Sequence, residues 1–265
     1  MKVLAIETTD QAGSVALLDD RRVVAELRLS RQQRSAQSLA PAMRDLLESA
    51  CWRPADVWLV AVAIGPGSFT GLRVGVTTAK TFAYAVGCDL VGVPTLEVVA
   101  AQAASSIAPV AERGASGRGL SPFSESAQKK GTVPLVAPEI VTVLDAGRQQ
   151  VFASSFRLLA GGGLQCVEPT ALVDDAAWLA RLAESPHADR LIAGPALRKF
   201  SGRLPANANL APADSWDPRA STVGQLALDR HAAGQRDDPW QLVPQYHRPS
   251  AAEEKRAQAQ SVHGS

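Results

Sequence analysis

The sequence is short of most features that mark an activity at sight. Its 265 residues hold three cysteines, Cys51, Cys88 and Cys166, an odd number without a CxxC pair, and none has the local context of a nucleophile. Each reads as a small apolar core residue. The four histidines, His187, His231, His247 and His263, form no HExxH or HxxxH and pair with no cysteine at zinc spacing, so no protein-built metal site is expected. No G-x-S-x-G elbow frames a serine. Charge of one sign is lacking too: 27 Lys and Arg stand against 26 Asp and Glu, a net +1, which argues against gripping nucleic acid by bulk charge. The one long uncharged run, 57–72, is too short to span a bilayer and is broken by Gly65-Pro66-Gly67. The Met1-Lys2-Val3 start carries no secretory leader, and with unpaired thiols a reducing cytoplasm is the expected setting.

What is present is an ordinary globular composition, 46% hydrophobic and 20% charged, enough for one large domain or two small ones. Apolar runs at 2–9, 14–18 and 23–29, separated by turn residues, predict a three-stranded antiparallel opening. Leu39, Met43, Leu46, Leu47 and Ala50 recur at helical spacing over 38–50, with Pro41 tolerable in a first turn. The run 57–64 is apolar on both faces, as an interior strand would be. A helix is predicted over 72–86, where Gly71, Gly75, Ala79 and Ala83 fall four apart, followed by a strand at 90–93 and a helix at 95–104. Residues 105–134 turn to Ser, Gly, Pro, Ala and Lys and read as a flexible insertion or linker. Order resumes with a hairpin at 140–147 and 151–159, helices at 176–184 and 223–233, and a short strand at 191–193. The expected organisation is a first domain 1–104, the insertion 105–134, a second domain 135–252 whose last helix packs back on the first, and a frayed tail 253–265. The hairpins at 4–9 and 143–147 both end in a carboxylate at a turn; a duplicated fold and two unrelated hairpins are both open readings.

Chemistry has one candidate place, an anion loop, and no constellation that amounts to a complete active site. Gly65-Pro66-Gly67-Ser68-Phe69-Thr70-Gly71-Leu72-Arg73 links a buried strand to a helix, so backbone N–H groups and a helix N-terminus can face an anion. It lacks the Gly-Lys-Ser/Thr of a Walker A loop and the G-x-G-x-x-G of dinucleotide folds, and a glycine turn for close packing explains it equally. Glu7 and Asp145, at strand ends, can orient a metal-bound phosphate through water, with hydroxyls from Thr8 and Thr9; solvated or capping carboxylates are the other reading.

Leu4-Ala5-Ile6-Glu7-Thr8-Thr9 with Ser14-Val15-Ala16-Leu17, the long glycine motif through Val74-Gly75, and Gly92-Val93-Pro94-Thr95-Leu96 resemble, in order and spacing, the TsaB (YeaZ) family of tRNA-modification proteins. Val143-Leu144-Asp145-Ala146-Gly147-Arg148 and Pro244-Gln245-Tyr246-His247-Arg248 are similar to its later patterns. The resemblance implies an α/β, two-domain actin-like fold of the ASKHA (RNase H-like) type with mixed sheets. It implies a noncatalytic activating subunit in the synthesis of threonylcarbamoyladenosine at position 37 of tRNA. In that family the paralogue TsaD, which holds a metal through paired histidines, transfers threonylcarbamoyl. TsaB joins it as a heterodimer, the ATPase TsaE joins them, and a homodimer is open to the chain alone. The resemblance further implies that this chain alone binds no cofactor, with ATP or ADP at the junction with the partner. There the loop residues Gly65, Pro66, Gly67, Ser68, Phe69, Thr70, Gly71 and Arg73, with Glu7, Thr8 and Asp145, are candidate contributors. The partner surface it implies uses the two first-domain helices, with Leu39, Met43, Leu46, Leu47, Val74, Gly75, Thr78, Ala79 and Phe82 as candidates; both stripes can equally face the chain's own sheet. Arg34-Ser35 stands where the family often has His-Ser, and 105–134 is longer than expected. The competing enzyme reading is a small-molecule kinase or ATPase with Glu7 and Asp145 around Mg-ATP; a zinc peptidase is disfavoured by the histidine spacing.

Overall fold

The computed structural model describes residues 1–10, 13–29, 35–107, 139–159, 162–184 and 190–248. Nine strands and five α-helices are arranged around two mixed sheets among these residues. The first sheet holds β1 (Lys2–Glu7), β2 (Ser14–Asp19), β3 (Arg22–Arg28), β4 (Leu59–Gly65) and β5 (Asp89–Pro94), in the order β3-β2-β1-β4-β5. The β1-β2-β3 meander is antiparallel, whereas β4 and β5 continue parallel to β1. The second sheet holds β6 (Glu139–Gly147), β7 (Gln150–Leu158), β8 (Leu164–Asp174) and β9 (Arg190–Ala193), in the order β8-β7-β6-β9. Its meander is again antiparallel and β9 is again parallel to the first strand. The hairpins β1-β2 and β6-β7 therefore occupy matching places, and of the two readings left open by the sequence the duplicated α/β fold is the one observed.

Side-chain alternation divides the first sheet between two cores. Leu4, Ile6, Val15, Leu17, Val60, Val62 and Ile64 face α1 (Ser35–Ser49) and α2 (Phe69–Val86). Val3, Ala5, Ala16, Leu18, Leu59, Ala61 and Ala63 face α5 (Ala220–Ala232). Because both faces are covered, β4 is buried along its whole length, as its unbroken apolar run requires. The helices also change partners between the halves. The helix α3 (Thr95–Ile107) packs on the second sheet, while α5, from the second half of the chain, packs on the first. Buried Gln102 on α3 ties this crossing: its amide donates to the carbonyls of Ser215 and Asp217 and accepts from the N–H of Arg219. On the far face of the second sheet, Trp178 and Leu182 of α4 (Asp175–Glu184) pack with Phe200.

Several boundaries move. The first helix begins at Ser35 rather than 38, so Pro41 lies inside it; it stands on the exposed face, where a carbonyl deprived of its donor is open to water. The second helix begins at Phe69, capped by the Ser68 hydroxyl, which accepts from the N–H of Gly71, and it stops at left-handed Gly87. Residues 105–107 are helical, and the rest of the proposed insertion, like the tail from 253, lies outside the described residues. The strand β8 was not anticipated. It is an exposed edge strand bearing Pro169, so it has neither the apolar alternation nor the composition of a buried strand.

Candidate functional site

A cleft of about 570 Å³ lies between the two halves. One wall is the loop after β4 and the start of α2, with Pro66, Gly67, Ser68, Phe69 and Leu72; the other is the β6-β7 turn, Asp145, Ala146, Gly147 and Arg148, with Phe152 behind it. Residues 245–248 complete it.

The glycines let backbones meet. Gly65 has φ +117°, and a Cβ there would stand 2.7 Å from the carbonyl oxygen of Gln245, whose own N–H donates to Ile64. Gly71 and Gly75 lie directly on β1's end: a Cβ at Gly71 would meet the Thr8 carbonyl oxygen at 1.9 Å, and one at Gly75 would meet Thr8 Oγ1 at 2.2 Å. The Thr8 hydroxyl donates to the Gly71 carbonyl at 2.8 Å, locking helix to strand. Thr8 is thus a packing residue with no exposure, not a hydroxyl presented to the cleft.

Glu7 is likewise sealed in. Its Oε1 accepts from the N–H and the hydroxyl of Thr9, both at 2.5 Å, and its Oε2 has no partner. Burial pushes its pKa up from 4.5 to about 8, against the lowering effect of the Thr9 bonds. Asp145 does line the cleft, but it pairs with Lys199 at 3.0 Å, and the same ammonium holds buried Asp175 at 2.9 Å. The two carboxylates expected to share a metal-bound phosphate therefore do not share the cleft. Among the described residues no group of three or more His, Cys, Asp or Glu side chains is placed to hold a metal ion.

Of the loop candidates, Pro66, Gly67, Ser68 and Phe69 line the cleft, Gly65 and Gly71 are buried beneath it, and Thr70 is exposed outside its lining. Arg73 is at the rim, its guanidinium 4.0 Å over the Phe69 ring and its Nε donating to the Tyr246 hydroxyl at 3.1 Å. Sequence reasoning missed Arg148, Phe152, Tyr246, His247 and Arg248 as cleft residues. The late Tyr-His-Arg run was visible only as a family pattern, and no periodicity says where such a run packs. His247 Nε2 is buried without a hydrogen-bond partner beside Phe152, and burial lowers the ring's pKa, favouring neutral imidazole.

The helix stripes proposed as a partner surface face inward for the most part. Leu39, Met43, Leu46 and Leu47 are buried in the first core, and Gly75 and Ala79 are buried on the sheet. This is a correction with a simple cause: a stripe at helical spacing names a face without saying whether sheet or solvent lies opposite. Val74, Thr78 and Phe82 remain partly exposed.

With this geometry in place, the similarities are informative. The family model for TsaD, tRNA N6-adenosine threonylcarbamoyltransferase, matches residues 23–114, which include α1, the glycine loop and α2. A tRNA threonylcarbamoyladenosine biosynthesis protein TsaB of Bacillus subtilis is 29% identical over 263 residues, 98% of this chain and 100% of the relative. The TsaB protein of Escherichia coli is 36% identical over 100 residues, 38% of this chain and 43% of its own. Among solved structures, YeaZ from Pseudomonas aeruginosa superposes with a TM-score of 0.70, covering 92% of this chain and 99% of that one at 24% identity, a likeness of fold.

Proposed function

We infer that the chain is a member of the TsaB (YeaZ) family, and on that premise that it is the noncatalytic subunit that supports threonylcarbamoyl transfer to adenosine 37 of tRNA by docking on TsaD. The observation that carries this reading is the end-to-end correspondence with the Bacillus subtilis TsaB protein, which leaves no part of that relative unmatched. The geometry of the carboxylates agrees with it. A kinase or ATPase needs two carboxylates free to organise a metal-bound phosphate; here Glu7 is sealed under Thr9 and Asp145 is paired with Lys199.

The docking surface in this proposal is the outward side of α1 and α2. It carries the partly exposed Thr78, the uncovered parts of Val74 and Phe82, which also pack against the first core, and the exposed Arg44, Asp45 and Glu48, whereas the buried stripes hold the two helices on their own sheet. TsaE joins the resulting pair in the cytoplasm, and ATP or ADP sits at the subunit junction rather than on this chain alone.

Co-elution with TsaD in gel filtration tests the surface. Phe82→Glu and Thr78→Arg are expected to abolish co-elution while keeping the wild-type circular dichroism spectrum. Folded variants that still co-elute would remove this face from the proposal. Titrating ADP into the chain and into the complex tests the junction: heat only in the complex is expected, and equal binding by the chain alone contradicts it.

A further inference from the structure

Residues 237–248 follow α5 and run as a strap over the first half before crossing to the second. The first half holds it at many points. The N–H of Asp237 donates to Leu90 on β5 and its carboxylate accepts from Gly92; the Lys80 ammonium of α2 donates to the Leu242 carbonyl at 2.8 Å. Buried Leu242 enters the first core, and Gln245 pairs with the end of β4.

The second half is held through Arg248. The Arg248 guanidinium donates to the Ala146 carbonyl at 2.6 Å, to the Gly147 carbonyl at 3.5 Å and to Gln150 Oε1. What it grips is the β6-β7 turn, where Gly147, Arg148 and Gln149 are three consecutive left-handed residues, φ 69°, 52° and 59°. Left-handed φ is unfavourable for the two non-glycine residues, and the turn is also held by Asp145 Oδ1, which accepts from the Gly147 N–H, and by the Gln149 carbonyl, which accepts from the Asp175 N–H.

We propose that this strap is a clasp that holds the two halves closed over the cleft, with Arg248 as its hook. The contacts of the described residues carry the argument: several separate anchors on one half, and on the other a charged fork on backbone carbonyls, a directional contact that substitution of Arg248 removes. The His247 ring, 6.2 Å from Phe152 in an edge contact, adds apolar contact, and its Nε2 is buried without a hydrogen-bond partner among the described residues. Besides the clasp, the described halves are joined by the exchanged helices α3 and α5 and by Asp217, which pairs with Arg28 of β3 at 3.6 Å and with Arg198 at 2.5 Å; the two helices can act as the hinge about which a released cleft widens. The inference stands on this chain's own contacts and does not depend on a partner or on the proposed activity.

The chain supplies its own probes. Cys51 follows α1 on the first half and Cys166 lies on β8 of the second; both are exposed, contrary to the core placement the sequence suggests, while Cys88 is partly buried with its thiol pushed up to about 11. In a Cys88→Ser background, spin labels on Cys51 and Cys166 report the distance between the halves by double electron–electron resonance. A single narrow distribution is expected for the parent. Arg248→Ala should broaden it towards longer distances, and amide exchange at 146–150 should rise about tenfold or more with little change elsewhere in the second sheet. Arg248→Lys, which keeps the charge but lacks the planar, spread donor fork, should fall between, and it carries the test if the alanine variant does not fold. An unchanged distribution in the folded variants, or faster exchange spread evenly over the second sheet, overturns the clasp.

Discussion

Replacing Gly75 by Ala tests how α2 is seated on β1, because the outcome should change sign with a single atom on the neighbouring strand. The added Cβ would stand 2.2 Å from Thr8 Oγ1, about 1 Å inside an ordinary contact, and Oγ1 is fully buried and fixed by its bond to Gly71. Overpacking of this kind costs about 3 kcal/mol, and the helix propensity gained by replacing Gly returns about 1, for a net loss of about 2 kcal/mol. In a Thr8→Ala background Oγ1 and Cγ2 are gone, the nearest remaining atom of residue 8 is Cβ at 3.4 Å, and the clash vanishes. The same Gly75→Ala change should then stabilise by up to about 1 kcal/mol, a coupling of about 3 kcal/mol across the cycle. Thr8→Ala alone loses the buried hydrogen bond and should cost about 1 to 2 kcal/mol. Gly71→Ala is the internal control: its Cβ would meet the Thr8 main-chain oxygen at 1.9 Å, which Thr8→Ala leaves in place, so no rescue is expected. Urea unfolding followed by far-ultraviolet circular dichroism measures all five variants. Equal cost of Gly75→Ala in both backgrounds, or rescue of Gly71→Ala by Thr8→Ala, would refute the packing argument.

Glu7→Gln should flatten part of the pH dependence of stability. With the folded carboxyl at about 8 and the ordinary value at 4.5, the native state keeps a proton the unfolded chain has lost, so stability is full below pH 4.5 and declines as pH rises through 8. The glutamine variant should match wild type near pH 4 and exceed it by roughly 3 to 5 kcal/mol at pH 8; parallel stability curves would show that Glu7 is not held protonated. Gln102→Leu leaves two carbonyls and an N–H at the α3–α5 crossing without partners and should lower stability by at least about 2 kcal/mol in the same urea assay, against a negligible change if water reaches the site. The His247 ring should titrate below the usual histidine range in a proton NMR titration, since burial disfavours its cation, and a normal midpoint would place the ring in solvent.

Local signals in the sequence carried most of the fold. The β4 run is apolar on both faces because helices cover both, and the Leu39–Met43–Leu46 stripe names a real helix face. The glycine motif announced a close approach, and either an anion loop or a packing turn satisfied its pattern. Gly71 and Gly75 belong to packing on Thr8, while Pro66 to Phe69 line the cleft, so one motif divides between the two. What escaped depended on contacts between distant segments. Glu7 looked like a strand-end ligand, yet it is fully buried, with the N–H and hydroxyl of Thr9 closed onto its carboxylate, and strand-end position alone does not tell a sealed carboxylate from an open one. Arg248 is 98 residues from Gln150, and nothing local in either segment announces their pairing. The edge strand β8 escaped for the opposite reason: with little buried against it, its sequence was not constrained to alternate.

The central claim, a subunit that acts through TsaD, is tested most directly by threonylcarbamoyl transfer to unmodified tRNA. The mixture contains the threonylcarbamoyl adenylate donor, TsaE and ATP, with TsaD alone, this protein alone, or both. Product only when both are present is the predicted result. Product from this protein alone, or an equal yield from TsaD without it, would contradict the account.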